Sequence, residues 1–494
     1  MPKTIFGTTE KSNFILNMKY ATVRKWVTAL LCGAVLIPAL GGAFMTFAEK
    51  AGWFFGVFLY AAGFSCILFY IVLLMRKDIR FRQQKAFPAA VMAVILAVLA
   101  FASYYSVVLS GADKDRIDIA MLGEVGRYEG LLSIFAYLGI FLLAASALRY
   151  STVKTVLDVL VGVGVVQAAA AVMQHIPCGF PSKFRDLPAF VLLEDVHLSS
   201  GFADNPIFYG SFVTVVLGAA VIGALYEKNV IRARIYGCCA ALLFLTGLFT
   251  SSVVPLIGSG CVIVIAAVIE LAAVKGGVKF DEGILRSSRK RFLVLIASFA
   301  AIFGIVFAAQ GINLMDTTIN DVDFIRDKTI AYSDAYNKLF IIGSPSPLNP
   351  KTHWQLGAEQ SLAMIKGHPI LGIGPDLMAK LQVNDPKLMT DSLDKSYNEY
   401  LFIAATRGIP SLIVYLALLF ATFGQLFKGM KEFAADREKW FRPAILTAVI
   451  AYSAQAFFSA SAVTVAPFFW LLMGFAWSDF ADENNTQSKK QKTK

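Results

Sequence analysis

The sequence predicts an all-α polytopic membrane protein with about 12 transmembrane helices. Of its 494 residues, 57% are hydrophobic and only 16% are charged. A water-soluble chain of this length could not bury so much apolar surface. The apolar residues also fall in uninterrupted runs of about 17 to 25 residues, the length with which a helix crosses a bilayer core of about 30 Å. Since a backbone in lipid must satisfy its own hydrogen bonds, these runs are predicted to be helices.

The predicted helices form two groups that are separated by a long polar segment. Nine spans fill residues 27–310 after an N-terminal arm at 1–26. The polar segment occupies 311–410, three more spans fill 411–479, and a basic tail ends the chain at 480–494. The shortest connection separates the seventh and eighth spans, just before Pro255. In order, the predicted spans are 27–47, 51–75, 86–110, 130–148, 153–174, 207–226, 235–252, 254–274, 292–310, 411–427, 443–460 and 462–479.

Basic residues predict the orientation of these spans, because they concentrate in every second connection. The basic segments hold about 30 Lys and Arg residues, against about 6 in the short loops between them. Positively charged loops stay in the cytoplasm, so both termini are predicted to be cytoplasmic. The basic segments are the N-terminal arm, "RKDIRFRQQK", Arg149 with Lys154, "EKNVIRAR", "RSSRKR", "KGMKEFAADREKWFR" and the tail "KKQKTK".

The charge distribution excludes several classes of function. The formal net charge of +11 reflects topology and attraction to anionic lipids, and it gives no support to a nucleic-acid partner. No GxxxxGK[ST] or GxGxxG motif lies in a cytoplasmic loop, and no CxxC or Cys/His cluster suggests a metal site. The cytoplasmic loops are too short for a catalytic domain. Chemistry is therefore expected in the polar external segments, at 111–129, 175–206 and about 311–395.

The long external segment is predicted to contain short helices. "WQLGAEQSLAMIKGHPILGIGPDLMAKL" has a helix-period apolar pattern that ends at Pro369 and at a turn with Gly372 and Gly374. Loops of this length are usually functional or disordered, and the pattern argues against disorder.

A second short helix is predicted in "DKSYNEYLFIAATRGIP", just before the tenth span. Ser392 or Asp394 can cap it, and Gly408 with Pro410 would break it. Its position at the outer membrane surface would point Asn398 and its neighbours toward the bundle. On spacing alone, an interfacial helix anchored by its tyrosines Tyr397 and Tyr400 is an equally good interpretation.

Four stretches of the chain, taken in order, resemble one protein family. Tyr397, Asn398, Leu401 and Gly408 have the spacing of a signature that runs His-Asn, any two, Leu, any six, Gly before a transmembrane helix. "GHPILGIGPDLM" resembles the segment upstream of that signature, "SSGFADNPIFYGSF" resembles a Ser-Gly-x-x-x-Asn-Pro element, and "GRYEGLLSIFAYLGIFLLA" is a further match. The family is the O-antigen ligase and O-antigen polymerase superfamily of bacterial membrane glycosyltransferases. The matches extend over most of residues 127–430.

The resemblance implies an enzyme of the bacterial plasma membrane that assembles cell-surface polysaccharide. It would take a glycan from undecaprenyl diphosphate on the outer face and join it to an acceptor glycan or lipid, without a metal or nucleotide cofactor. In the family, arginines near the outer surface hold the diphosphate, and the signature histidine serves the acceptor or the leaving group. Fixed guanidinium donors suit a diphosphate leaving group, and desolvation at the interface strengthens such pairing.

The site is expected to combine residues of the matching motifs with external cations that can supply the charge a diphosphate needs. Tyr397, Asn398 and Arg407 are expected to be catalytic, and Arg127, Arg185, His197 and Asn205 are expected to bind substrate. Lys351 and His353 are further external cations. Simpler interpretations stay open: Arg407 can be an interfacial cation at the start of the tenth span, His197 a loop residue, and Arg127 and Glu129 can pair with each other.

The chain departs from the family pattern at three positions. His197, Leu198 and Ser199 stand where an arginine usually precedes the Ser-Gly pair, and Ser252 or its neighbour stands where another cation is usual. Tyr397 replaces the signature histidine, and a tyrosine stays protonated at neutral pH, so it is a poor general base.

These departures favour an alternative, a catalytically inactive family member that binds lipid-linked glycan or a partner protein. A transporter is a third interpretation. It lacks support from an internal repeat, and the spans hold few ionisable residues, namely Asp158 and Glu270.

Overall fold

The described part of the chain is helical, as predicted, and it contains no β-strand. Several helices begin at an Asn or Asp whose side chain accepts a hydrogen bond from a backbone N–H of the first turn, and Pro206 follows one such cap. The computed structural model describes residues 19–47, 52–76, 85–147, 149–176, 198–203, 205–250, 252–275, 282–320, 353–381 and 395–478.

Fourteen α-helices and one 3₁₀ turn, Arg437–Lys439, make up these residues. The helices are α1 Tyr20–Phe47, α2 Gly52–Met75, α3 Phe87–Leu109, α4 Lys114–Leu122, α5 Leu131–Ala145, α6 Tyr150–His175, α7 Pro206–Tyr226, α8 Val230–Leu248, α9 Val253–Lys275, α10 Glu282–Asn320, α11 His353–Gly367, α12 Glu399–Ala435, α13 Phe441–Gln455 and α14 Ala466–Trp477. Helix α10 continues beyond residue 310, where the predicted ninth span ends. Helix α11 ends at Gly367, just before Pro369, as its sequence pattern predicts.

Eight of the described helices are long and apolar enough to cross a bilayer: α1, α2, α3, α6, α7, α8, α9 and α12. Helices α5 and α14 are apolar but shorter. Many large side chains on these helices face outward; Leu68 is 66% exposed, Val98 60% and Val264 61%. A water-soluble protein does not expose apolar surface on this scale, whereas lipid would cover it. The chain is therefore a polytopic helical membrane protein.

Helix α7 is the central element of the bundle. Nearly all of its side chains are buried, and it packs against α8, α9 and α13. Helix α5 packs between α2 and α14, and α12 packs against α3, α11 and α13. Small residues allow the closest approaches: a Cβ at Gly63 would lie 2.2 Å from the Ala136 Cα, and one at Gly218 would lie 2.8 Å from the Ala448 N.

The contacts sort the connections to two opposite ends of the bundle. At one end, which we call the signature end, Glu399 N donates to Ala456 O (2.9 Å) and Ser199 N to Phe249 O (3.1 Å). Ser199 and Glu399 belong to polar connections that the basic-residue pattern predicts to share a side. The other end, the basic end, joins the Lys- and Arg-rich connections. Asp158 and Glu270 lie there, bonded to Arg232 and Ser288 respectively.

Two arginines at the basic end cap the C-terminus of α7. Arg291 Nη1 donates to the carbonyls of Ala224 (3.3 Å), Leu225 (3.2 Å) and Glu227 (2.9 Å). The second arginine, Arg437, donates to Tyr226 O through Nε (2.8 Å). The last carbonyls of a helix lack partners within it and carry partial negative charge, so guanidinium donors satisfy both requirements.

Replacing Arg291 by Ala is expected to lower the free energy of unfolding by about 1 to 3 kcal/mol, because it removes charged donors from three partly buried carbonyls. Chemical denaturation in mixed micelles measures the change. Arg286→Ala is the matched control, since Arg286 is an exposed arginine of the same helix. Equal effects of the two substitutions would refute the capping role.

Candidate active site at the signature end

The signature helix begins and breaks at residues of the Asn-Leu-Gly motif. Asn398 is the N-cap of α12, and its side-chain oxygen accepts from Leu401 N (3.0 Å). Ser392 and Asp394, the caps predicted from sequence, lie outside the described residues. The cap is instead Asn398, whose side chain closes the first turn of the helix.

The predicted break at Gly408 is confirmed. Gly408 has φ +85° and ψ 163°, which are not helical, and Pro410 follows. In an unbroken helix, Ile409 N and the N–H of residue 410 would donate to the carbonyls of Ala405 and Thr406. Proline has no N–H, and the break turns Ile409 N away, so these backbone groups need other partners.

The turn that follows α11 supplies those partners. Its backbone bonds the kink on both sides, which fixes the turn against α12. The bonds are Ile373 N to Ala405 O (2.9 Å), Gly374 N to Thr406 O (3.0 Å) and Ile409 N to Pro369 O (2.8 Å). The two short helices predicted in the long polar segment are thus parts of one unit, joined backbone to backbone.

This unit places Asp376 against the connection before α5. Asp376 has a left-handed backbone, with φ +54°, and is 1% exposed. Its carboxylate accepts from Arg127 Nε (3.1 Å) and from Glu124 N (2.8 Å). Arg127 thus pairs with Asp376, and its charge also acts on the Glu129 carboxyl.

Glu129 pairs with Lys395, three residues before the α12 cap at Asn398. Lys395 Nζ lies 2.7 Å from Glu129 Oε2 and donates to Ser461 O at 2.8 Å. It also lies 4.7 Å from the centroid of the Phe208 ring. Both members of the pair are buried, so each depends on the other for charge compensation.

A cavity of about 30 Å³ lies where these segments meet. Glu129, Asp376, Glu399, Arg407 and Tyr137 contribute its polar lining. No hydrogen bond or ion pair joins the Arg407 guanidinium to another described residue, although it lies in the electrostatic field of Glu399 and Glu129. This volume is enough for at least one water molecule or hydroxyl group.

Burial changes the acidity of the carboxyl groups outside the spans. Desolvation raises the pKa of Glu129 to about 7, although Lys395 opposes the shift. Desolvation also raises the pKa of Asp376, against the opposing effect of Arg127. Glu129 therefore changes charge near neutral pH.

The structure gathers two of the seven predicted site residues around this cavity. Arg407 lines the cavity, and Arg127 pairs with Asp376, which also lines it. Tyr397 instead packs in an apolar cluster with Ile207, Val254 and Trp354. Asn205 caps α7 through a bond from Ile207 N (2.8 Å). Arg185 and His197 lie outside the described residues, as do Lys351 and the side chain of His353.

The Ser-Gly element before α7 is held in place by two glutamines of α6. Gln174 Nε2 donates to Gly201 O (2.8 Å), and Ser200 N donates to the Gln174 side chain (3.0 Å). Gln167 accepts from Phe202 N (2.6 Å). These bonds fix the backbone of the element, and Ser252 likewise accepts from Val254 N at the start of α9. Among the described residues, the Ser-Gly element thus serves to position the start of helix α7.

Sequence reasoning missed Lys395, Asp376 and Glu399 as members of the site. Glu399 is fixed by two tyrosines, Tyr415 to Oε1 (3.0 Å) and Tyr452 to Oε2 (2.8 Å). Each of the three residues sits within or beside a motif that the sequence analysis quoted. The available signal was that these three residues are charged although they lie in stretches predicted to pack against a membrane bundle.

No family model matches the chain, and no curated protein sequence matches it. The chemistry of the site is therefore inferred from its own residues.

Proposed function

We propose that the chain is a membrane glycosyltransferase of the O-antigen ligase or polymerase type. It transfers a glycan from an undecaprenyl-diphosphate donor to an acceptor glycan or lipid, on the outer face of a bacterial plasma membrane. Arg407 binds the diphosphate, and Arg127 and Lys395 organise the carboxylates beside it.

The observation that carries the proposal is the placement of Arg407. Its guanidinium faces a small polar cavity and bonds to no other described residue. A buried guanidinium needs hydrogen-bond acceptors for its N–H groups, because leaving buried donors without partners is costly. A diphosphate oxygen meets this need with charge-assisted hydrogen bonds.

The proposal includes the finer topology of twelve spans with both termini in the cytoplasm. In this topology, the eight long apolar helices are eight of the spans, and α5, α10, α13 and α14 are the other four. Helix α5 has fifteen residues and is about 22 Å long, which is shorter than the bilayer core of about 30 Å. It is buried, however, and has protein neighbours along its length. With the basic end inside, the cavity opens toward the outer face.

One observation favours the alternative of an inactive family member that binds lipid-linked glycan or a partner protein. Tyr397 packs among apolar side chains, so the signature position contributes no acid–base group to the cavity. An inactive binder would keep the affinity of Arg407 for a diphosphate but would transfer nothing.

A transfer assay with a synthetic undecaprenyl-diphosphate-linked repeat tests the proposal. We expect Arg407→Ala to lower the transfer rate at least about 100-fold, since one lost donor to a developing charge typically costs that much. Arg407→Lys is expected to keep part of the rate, because it retains the charge but not the fork of donors.

Arg116→Ala is the matched control. Arg116 lies at the signature end on α4, is 44% exposed and pairs with Asp113 on the surface. It should transfer at the native rate. A native protein that binds the donor but transfers no glycan would support the inactive binder, and full activity of Arg407→Ala would overturn the assignment of Arg407.

A further inference from the structure

We propose that Glu129 is the acid–base group of this site and that it takes the proton of the acceptor hydroxyl as the new glycosidic bond forms. This inference rests on the proposed glycosyl transfer and goes beyond it, because neither the signature nor the resemblance assigns a role to this residue.

The hydrogen bonds of the cavity single out Glu129 among its carboxylates. Both oxygens of Asp376 have partners, in Arg127 and the Glu124 N–H. Both oxygens of Glu399 accept from tyrosines. Glu129 Oε2 is held by Lys395, whereas its buried Oε1 has no hydrogen-bond partner among the described residues. A buried carboxylate oxygen without a donor is costly, so it needs a donor from outside the chain.

The cavity has the right size and neighbours for a hydroxyl donor. Its volume of about 30 Å³ is enough to admit a hydroxyl group. Tyr137, which lines the same cavity, also has a buried hydroxyl without a partner among the described residues. An acceptor hydroxyl that enters this cavity would therefore meet two buried polar atoms without partners, Glu129 Oε1 and the Tyr137 hydroxyl.

The charge balance around Glu129 suits a base that works near neutral pH. Burial raises the pKa of Glu129 to about 7, so a large fraction is ionised and able to accept a proton there. The titratable and charged groups that interact with it from the surrounding elements are Lys395, Asp376, Arg127, Arg407, Tyr137 and Tyr452.

The proposed step conserves atoms and charge. The acceptor O–H bond breaks and its proton passes to Glu129, while the acceptor oxygen bonds to the anomeric carbon of the donor sugar. The bond from that carbon to the diphosphate oxygen breaks, and its electron pair leaves with undecaprenyl diphosphate. Glu129 becomes neutral as the leaving diphosphate gains negative charge, so the two groups do not repel each other beside Arg407. Water then takes the proton from Glu129.

The test compares Glu129→Gln with the native protein in the transfer assay between pH 5.5 and 8.5. The native rate should rise with pH, with a midpoint near 7, and then level off. Glu129→Gln should lose at least about 100-fold in rate and should lose this pH dependence. Glu129→Asp should keep the rise with pH at a reduced rate. Glu359→Gln, which removes an exposed carboxylate from α11, is the control and should behave as the native protein does.

Glu129→Gln also leaves Lys395 without its counter-ion. A second variant therefore separates an effect on folding from an effect on transfer. The double variant Glu129→Gln with Lys395→Met removes both charges of the pair, and donor binding verifies its fold. It should bind undecaprenyl diphosphate but transfer at least about 100-fold more slowly. Transfer by the double variant or by Glu129→Gln at the native rate would overturn this inference alone. A native protein without transfer activity would overturn the proposed function and this inference together.

Discussion

Replacing Gly408 by Ala is expected to lower the free energy of unfolding by at least about 3 kcal/mol. The backbone at Gly408, with φ +85° and ψ 163°, lies in a region that only glycine adopts without strain. A Cβ there would also lie 2.0 Å from the carbonyl oxygen of Ile370, a backbone atom of the adjoining turn. The turn and the kink would have to separate, which breaks the three backbone hydrogen bonds between them.

Thermal and chemical unfolding in detergent measures this effect, and Gly424→Ala is its matched control. Gly424 lies in the same helix, has ordinary helical geometry, and has open space where a Cβ would be placed. Alanine should stabilise that position by up to about 1 kcal/mol because of its higher helix propensity. If Gly408→Ala were as stable as Gly424→Ala, the described kink would be wrong.

Replacing Lys395 by Ala should have the second largest effect, a loss of about 3 to 5 kcal/mol at pH 8. The substitution leaves the Glu129 carboxylate buried without a cation. Lys366→Ala, on the exposed face of α11, should change stability by less than about 0.5 kcal/mol.

The loss should depend on pH with a defined sign. Burial already raises the pKa of Glu129 in the folded protein above its unfolded value, so the folded state holds this proton more tightly. Glu129 therefore makes its full contribution to stability below the pKa that it has in the unfolded chain. This contribution is lost as the pH rises toward about 7, its pKa in the folded protein. Without Lys395, which lowers that pKa, the Ala variant should lose stability more steeply between pH 5 and 8. A pH-independent effect would contradict the pairing of Lys395 with Glu129.

The helical membrane architecture could be predicted from sequence because it depends on local patterns. Runs of apolar residues, the Pro369 boundary and the Gly408 break are all features of a few consecutive residues. Residues of the basic connections also contact one another or the adjoining helix end, as Lys154 does with Glu227 and Arg437 with Tyr226.

The candidate site was predictable only in part, because its bonds join distant segments. Arg127 and Asp376 are separated by 249 residues, and Glu129 and Lys395 by 266. Nothing in either local stretch specifies its partner. The motif also did not specify the contacts of its side chains: Asn398 serves as a helix cap, and Tyr397 packs into an apolar cluster.

The most direct test of the central claim is a measurement of lipid affinity at Arg407. Purified protein in nanodiscs would be titrated with undecaprenyl diphosphate and with uncharged undecaprenol, as the native chain and as Arg407→Ala. The diphosphate should bind the native chain at least about 10-fold more tightly than undecaprenol does, a difference of about 1.4 kcal/mol, and Arg407→Ala should abolish that preference. Equal affinity of the native chain for the two lipids, or a preference that survives Arg407→Ala, would contradict a diphosphate site beside the kinked helix.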